Sequence, residues 1–253
     1  MISTLFQNDT FINNNIVSLF NTSIYEYDMK NAGYNLSRAY NLLPEDTLNK
    51  LGKLKKENRT VKIGKLQKSD ETYKKKLKEA FKEARRMFFE ANELEDNDII
   101  SIKKDAIFTT KECKNQKFLK YIDFREKHKY SSYIRLGRKI EFYYAHNTLD
   151  IKGLGEESIN YHKDYMLKMI GLFFYKMESS EMKDVIIFMR NFIDSYKYYK
   201  LPVEFYRRFA VDSFYTEKET GDTFYEYWEE DKEKLDINYN YFEVLVKLIK
   251  IPL

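Results

Sequence analysis

The stretch IISIKKDAIF, residues 99–108, is the segment on which the interpretation of this chain depends. Two short apolar runs enclose the charged tip Lys103-Lys104-Asp105, and the tip has none of the Gly or Asn that a tight hairpin usually contains. The pattern predicts two antiparallel strands joined by a short turn. An aspartate at such a tip either has a chemical role or is an ordinary surface residue, and the rest of the sequence must decide between them.

Length and composition indicate a globular protein with a sizeable core. The 253 residues allow one large or two small domains, and the contents of 43% apolar and 33% charged residues are ordinary for a globular chain. A single cysteine, Cys113, excludes an intramolecular disulfide and fits a reducing compartment, so we expect a cytoplasmic location. There is no signal-peptide pattern and no apolar run of membrane-spanning length, so we expect no membrane partner.

The charges are unevenly distributed along the chain. Residues 53–86 contain 14 Lys or Arg against 5 Asp or Glu, whereas residues 217–233 contain 8 acids against 2 lysines. The basic segment suggests a face for an anionic partner, although a solvated lysine-rich helix is the commoner explanation of a charge run alone. The acidic segment could dock on a partner or on the basic segment, or it could be a solvated helix.

Periodicity predicts one early strand followed by helices up to residue 92. The alternating IYEYD, residues 24–28, predicts a strand with Glu26 and Asp28 on one face. A short helix is expected over about 32–42 and further helices after residue 44, with a turn at Gly64. The last of these helices follows a cap at Ser69 or Asp70, and its apolar residues have helical spacing: Tyr73, Leu77, Ala80, Phe81, Ala84, Phe88 and Ala91.

The segments after the hairpin separate into strands and then helices. Residues 117–126 and 130–153 are rich in Tyr, Ile and Phe and predict strands, whereas 159–177 and 182–200 predict two long helices. This grouping of elements predicts an α+β fold.

The candidate catalytic residues are two aspartates, Asp28 and Asp105, each at a strand end. One cysteine and three scattered histidines give no zinc spacing, and the chain has neither a G-x-S-x-G nor a phosphate-loop motif. Carboxylates on adjacent strands can hold Mg²⁺ ions. On spacing alone, ordinary surface aspartates are the commoner explanation.

Four motifs, in order, resemble those of family B DNA polymerases. YEYDMKNAGYNL (25–36) resembles the first palm motif, and DIISIKKDAIFTT (98–110) resembles the palm hairpin that carries the second metal-binding aspartate. REKHKYSSYI (125–134) is similar to the K-K-x-Y element that contacts the primer–template duplex, and LDIKGLG (149–155) to the K-G element that follows it.

The resemblance implies an architecture and an activity. It implies an antiparallel palm-like sheet within residues 1–155, a basic helical fingers-like insertion at about 44–95, and a helical thumb-like C-terminal lobe at 156–253. It also implies a nucleotidyltransferase that uses Mg²⁺, or Mn²⁺, with primer–template DNA and nucleoside triphosphates as partners. The miniature layout and the Asn-, Ile-, Lys- and Tyr-rich composition suit a bacteriophage, and the protein would then act in the host cytoplasm.

Carried over by position, the resemblance assigns the metal and nucleotide sites. Asp28 and Asp105 would be the catalytic metal ligands, and Glu26 would supply a further carboxylate because Lys103 stands where the family has a second aspartate. The cations placed to grip the triphosphate would be Arg59, Lys62 and Lys65. The family tyrosine that rejects ribonucleotides falls at Gly33, so either Tyr34 takes its place or ribonucleotides can enter.

Contacts with nucleic acid would come from Lys104, Lys129, Tyr130 and Lys152. The family's fingers signature is absent from the chain, and its hairpin has one aspartate instead of two. The sequence therefore leaves three hypotheses open. They are an active polymerase-like enzyme, a catalytically inactive relative that binds nucleic acid or a replication partner, and a protein-interaction domain whose acidic segment docks on the basic segment or on a partner.

Overall fold

The structure is a computed structural model that describes residues 2–136, 138–146, 148–153, 163–197 and 200. Its strands are β1 (Thr10–Ile12), β2 (Ser18–Leu19), β3 (Ile24–Met29), β4 (Ile99–Lys103), β5 (Ala106–Thr109), β6 (Lys117–Phe118), β7 (Ile122–Tyr130), β8 (Ser132–Leu136), β9 (Ile140–Ala145) and β10 (Thr148–Lys152). Its helices are α1 (Ala32–Ala39), α2 (Glu45–Gly52), α3 (Lys56–Ser69), α4 (Glu71–Ala91), α5 (Lys163–Ser179) and α6 (Met182–Lys197). Antiparallel sheets combined with helices confirm the predicted α+β class.

The chain divides into two compact units. The first contains residues 1–16 and 22–130, and the second contains 17–21 together with the described residues after 130. The assignment of residues 1–155 and 156–253 to palm-like and thumb-like domains stays a prediction. The acidic segment 217–233 lies outside the described residues.

The first unit is a six-stranded sheet with helices on one face. The strand order is β1-β4-β5-β3-β7-β6, and neighbouring strands are antiparallel. Tyr25 and Tyr27 project from β3 into the helical layer, where the Tyr27 ring lies 5.3 Å from that of Phe88 on α4. Glu26 and Asp28 therefore occupy the other face, as the alternation predicted.

Helix α4 supplies most of the helical side of this core. Its buried residues include six of the seven predicted from the period, from Tyr73 to Phe88. Asp70 caps the helix, because its Oδ1 accepts a hydrogen bond of 2.9 Å from the Tyr73 amide. The turn predicted at Gly64 is wrong: Gly64 lies inside α3, where a glycine costs only about 1 kcal/mol relative to alanine.

The hairpin of β4 and β5 turns at Lys104-Asp105, and Lys104 has the left-handed φ of 59°. Backbone hydrogen bonds fix this turn, since the Lys104 amide donates to the Asp9 carbonyl (2.7 Å) and the Met29 amide donates to the Asp105 carbonyl (3.1 Å). The Lys104 carbonyl accepts a further hydrogen bond of 2.8 Å from the Arg85 guanidinium. Tertiary contacts thus hold a conformation that elsewhere would favour glycine.

The second unit is an antiparallel sheet of order β10-β9-β8-β2, covered by α5 and α6. Its core includes Tyr144 of β9, whose ring stacks on that of Phe174 of α5 at 5.1 Å. The two helices confirm the helical prediction for the described part of this region. Within the part of the chain that the structure describes, no helix has the length and apolar character needed to cross a bilayer.

Candidate functional site

Asp28 and Asp105 line the same cavity in the first unit. Pairing of β3 with β5 puts Asp28 opposite Ala106, the residue that follows Asp105 at the hairpin tip. The cavity has a volume of about 510 Å³ and extends from these two aspartates to the first turn of α1 and one side of α3. The structure therefore brings together the two residues that the sequence singled out as catalytic.

The two carboxylates lie together in the cavity, with cationic side chains near them. Burial raises the pKa of Asp105, and the negative charge of Asp28 raises it further, while Lys104 and Lys127 act in the opposite direction. The Arg125 guanidinium lies 4.0 Å from the Asp28 carboxylate, whose side chain is 24% exposed. Because neighbouring carboxylate charges repel each other, a cation bound between Asp28 and Asp105 would be favourable.

Glu26, the third predicted acid, belongs to a buried network beside the cavity. It is 1% exposed, its Oε2 accepts a hydrogen bond of 2.7 Å from the Tyr130 hydroxyl, and its Oε1 contacts Lys127 Nζ at 3.2 Å. A bulge in the pairing of β3 with β7 makes Lys127 the extra residue at this point. Both oxygens of Glu26 have partners, and Glu26 is not among the residues that line the cavity.

Arg59 and Tyr34, two of the residues predicted to bind the nucleotide, line the cavity and also contact other parts of the protein. The Arg59 guanidinium lies 4.6 Å from the centre of the Tyr34 ring and donates hydrogen bonds to the carbonyls of Leu51 (3.1 Å) and Leu54 (2.8 Å). The Tyr34 hydroxyl donates to the Leu48 carbonyl at 3.3 Å. The pair therefore forms a fixed wall, with the tyrosine hydroxyl bonded to α2.

The structure does not bring Lys62 and Lys65 to the cavity. A helix turns about 100° per residue, so Lys65 lies on the side of α3 opposite Lys56, and Lys62 also points away from the cavity. Both lysines are exposed. The α3 residues that do line the cavity recur at helical spacing: Lys56, Arg59, Thr60, Ile63, Gly64 and Gln67.

Sequence reasoning missed several polar residues of the cavity: Asn31, Lys56, Thr60, Gln67, Arg125 and Lys127. The helical period would have found those on α3 if the helix had been continued through Gly64. Arg125 and Lys127 lie within a motif already noted, but the β7 bulge that determines their direction has no sequence signature.

The residues predicted to bind nucleic acid lie in both units. Lys104 and Lys129 are exposed, and Lys104 also lines the cavity. Tyr130 is 3% exposed, and its hydroxyl is used by the network around Glu26. Lys152, on β10 of the second unit, has its Nζ 3.8 Å from the Asp150 carboxylate.

Comparison with known proteins gives a match that extends over the whole chain. The family model described as "Bacteriophage PBS1 gene 130 protein" matches residues 1–253. The chain belongs to this phage protein family. No curated protein matches the chain. Family membership supports the phage origin expected from the composition, and it names no reaction.

The cavity of this phage protein is lined by both carboxylates and cations, and Lys104, Arg125 and Lys127 lie near the aspartates. Asp28 and Asp105 supply carboxylate oxygens, the ligand type that Mg²⁺ and Mn²⁺ prefer, so the donor set fits divalent cations. Lys56 and Arg59 supply positive charge on the α3 side. A cavity with this distribution suits an anionic, phosphate-bearing ligand accompanied by metal ions.

Proposed function

We propose that this phage protein is a small polymerase-like nucleotidyltransferase that adds nucleotides to a nucleic-acid end by a two-metal mechanism. The observation that carries the proposal is the shared cavity, in which Asp28 and Asp105 face a side of α3 that bears Lys56 and Arg59. The resemblance of the segments around both aspartates to the palm motifs of family B DNA polymerases supports it. The host cytoplasm is the proposed place of action.

The carboxylates of Asp28 and Asp105 would hold Mg²⁺, or Mn²⁺, and the metals when bound would activate the attacking hydroxyl and stabilise the leaving pyrophosphate. Residues of the chain itself favour the binding of these metals and of the triphosphate. Burial of Asp105 beside Asp28 makes two neighbouring negative charges unfavourable, which favours cation binding. Lys56 and Arg59 would bind triphosphate oxygens, because guanidinium and ammonium groups form strong charge-assisted hydrogen bonds with phosphate.

Selection against ribonucleotides would not depend on the Tyr34 hydroxyl, which is bonded to the Leu48 carbonyl. Gly33, at the position of the family's filtering tyrosine, lies against α3, since a Cβ there would be 3.1 Å from Ile63 Cγ2. We therefore propose that the cavity admits ribonucleotides as well as deoxyribonucleotides.

The test is incubation with primed and unprimed templates, all eight nucleotides, and Mg²⁺ or Mn²⁺. Asp28→Asn and Asp105→Asn should each abolish extension while the circular dichroism spectrum stays that of the parent. Asp46→Asn, at an exposed position in the first turn of α2, is the matched control and should leave extension unchanged. Extension by Asp105→Asn at the parental rate would refute the two-metal mechanism.

The second candidate is a catalytically inactive relative that binds nucleic acid or a replication partner. It is favoured by the buried network of Glu26, whose carboxylate oxygens contact Tyr130 and Lys127, and by Lys103 at the place of the family's second hairpin acid. Salt-dependent binding of nucleic acid without incorporation of any nucleotide would support this candidate over the enzyme.

A further inference from the structure

Helix α3 has a second face that the cavity does not use. Lys62, Lys65 and Lys68 lie within about 120° of one another around the helix axis, on the side away from the cavity-lining residues, and all three are exposed. We call these three residues the lysine stripe. Over the six residues from Lys62 to Lys68 the stripe extends about 9 Å along the axis.

The lysines of the neighbouring helix α4 form ion pairs with carboxylates, whereas those of the stripe form none with the described residues. On α4, Lys74 pairs with Glu71 at 3.1 Å and Lys82 pairs with Glu79 at 2.7 Å, each within the helix. In the described part of the chain, no carboxylate lies within ion-pair distance of the stripe, and the acid of α3, Glu57, is near the other end of the helix.

The composition of this face favours one class of partner. Its exposed large apolar side chain is Val61, 56% exposed, whereas protein interfaces depend on aromatic or apolar anchors that fill pockets. A membrane-binding helix would need a continuous apolar face. Cations without an apolar centre are what a sugar-phosphate backbone requires, because neutralising phosphates releases condensed counterions.

We propose that the lysine stripe binds the phosphate backbone of a nucleic-acid strand outside the cavity, without sequence preference. A strand of B-DNA has one phosphate per about 3.4 Å of axis, so three lysines along about 9 Å can contact two or three phosphates. The proposal goes beyond the proposed function, since it adds a second binding surface, and it relies on that function for the class of partner alone.

The experiment measures fluorescence anisotropy of a labelled 20-nucleotide oligonucleotide, as a single strand and as a duplex, with the full chain at increasing salt. The variant carries Lys62→Gln, Lys65→Gln and Lys68→Gln, and the matched control replaces the α4 lysines Lys74, Lys78 and Lys82, whose partners are carboxylates. If three phosphate contacts are lost, the slope of log K against log salt should become less steep by about 2 for the single strand and about 2.7 for the duplex. The control slope should stay at the parental value.

Three results would overturn the proposal: equal slopes for the stripe variant and the control, a parent protein that binds neither oligonucleotide, or tighter binding of the parent to vesicles containing phosphatidylserine than to nucleic acid. Primer extension, assayed in parallel, separates this proposal from the proposed function. If the stripe variant has a shallower salt slope and the parent protein never extends primers, binding by the lysine stripe is supported and the nucleotidyltransferase activity is refuted. If the parent protein extends primers and the stripe variant keeps the parental salt slope, the nucleotidyltransferase activity is supported and binding by the lysine stripe is refuted.

Discussion

Arg85 on α4 offers a sharp test of what holds the hairpin tip in place. Its side chain is 0% exposed, and its guanidinium donates hydrogen bonds to the carbonyls of Phe6 (2.7 Å) and Lys104 (2.8 Å) and to the Asp9 carboxylate (3.0 Å). One buried cation therefore connects the N-terminal segment, the long helix and the turn that carries Asp105.

The substitution Arg85→Met removes these donors and keeps much of the apolar volume. Each carbonyl left unsatisfied in the interior costs about 1–3 kcal/mol. Asp9 is 39% exposed, so water can replace its lost partner at little cost. Because the two carbonyls of Phe6 and Lys104 lose their donor, the free energy of unfolding of the first unit should fall by about 2–6 kcal/mol.

Two measurements check this value. Urea unfolding followed by far-ultraviolet circular dichroism gives the change in stability, and hydrogen exchange read by mass spectrometry shows whether residues 5–9 and 99–109 open faster. Arg86→Met is the control, because the Arg86 side chain is 39% exposed and pairs with Glu83 and Glu90 on its own helix. If the Arg85 and Arg86 variants had equal urea midpoints and equal exchange in 99–109, the reasoning about the hairpin would be refuted.

Three further predictions concern the first unit. Asp70→Ala removes the cap of the Tyr73 amide and should lower the free energy of unfolding by about 1 kcal/mol in urea, whereas an unchanged midpoint would contradict the capping role. Burial raises the pKa of the Cys113 thiol to about 12, so a thiol reagent at pH 8 should react with it only after unfolding, and rapid labelling of the native protein would contradict its burial. Gly52→Ala places a Cβ 2.6 Å from the Tyr34 hydroxyl and should lower the free energy of unfolding by about 1–3 kcal/mol. The destabilisation should be smaller when Tyr34 is also replaced by Phe. A destabilisation that does not depend on that hydroxyl would contradict this explanation.

Features encoded by local periodicity could be predicted from the sequence. The apolar spacing of α4, its cap at Asp70 and the alternation of Glu26 with Asp28 all depend on residues a few positions apart. The proximity of Asp28 and Asp105 could also be predicted, because the resemblance to the palm motifs places both aspartates at the ends of neighbouring strands.

Features that depend on distant parts of the chain could not be predicted. The glycine-free turn at Lys104 needs the Asp9 carbonyl and Arg85, which lie far away in sequence. The direction of Lys127 depends on a bulge that only the pairing of two strands defines. The assignment of Lys62 and Lys65 to the triphosphate depends on position and charge alone, and their direction follows only when α3 is continued through Gly64.

The strand order of the first unit has a consequence for how the chain folds during synthesis. The pairs β1–β4 and β3–β5 join residues about 80–95 positions apart, and the segment between them contains the four helices α1 to α4. At about 5–20 residues per second, β1 and β3 leave the ribosome roughly 5–20 s before their partner strands. We therefore expect helices to form first, sheet closure to limit the folding rate, and strand β3, which is buried in the native sheet, to need protection from aggregation until the hairpin is made.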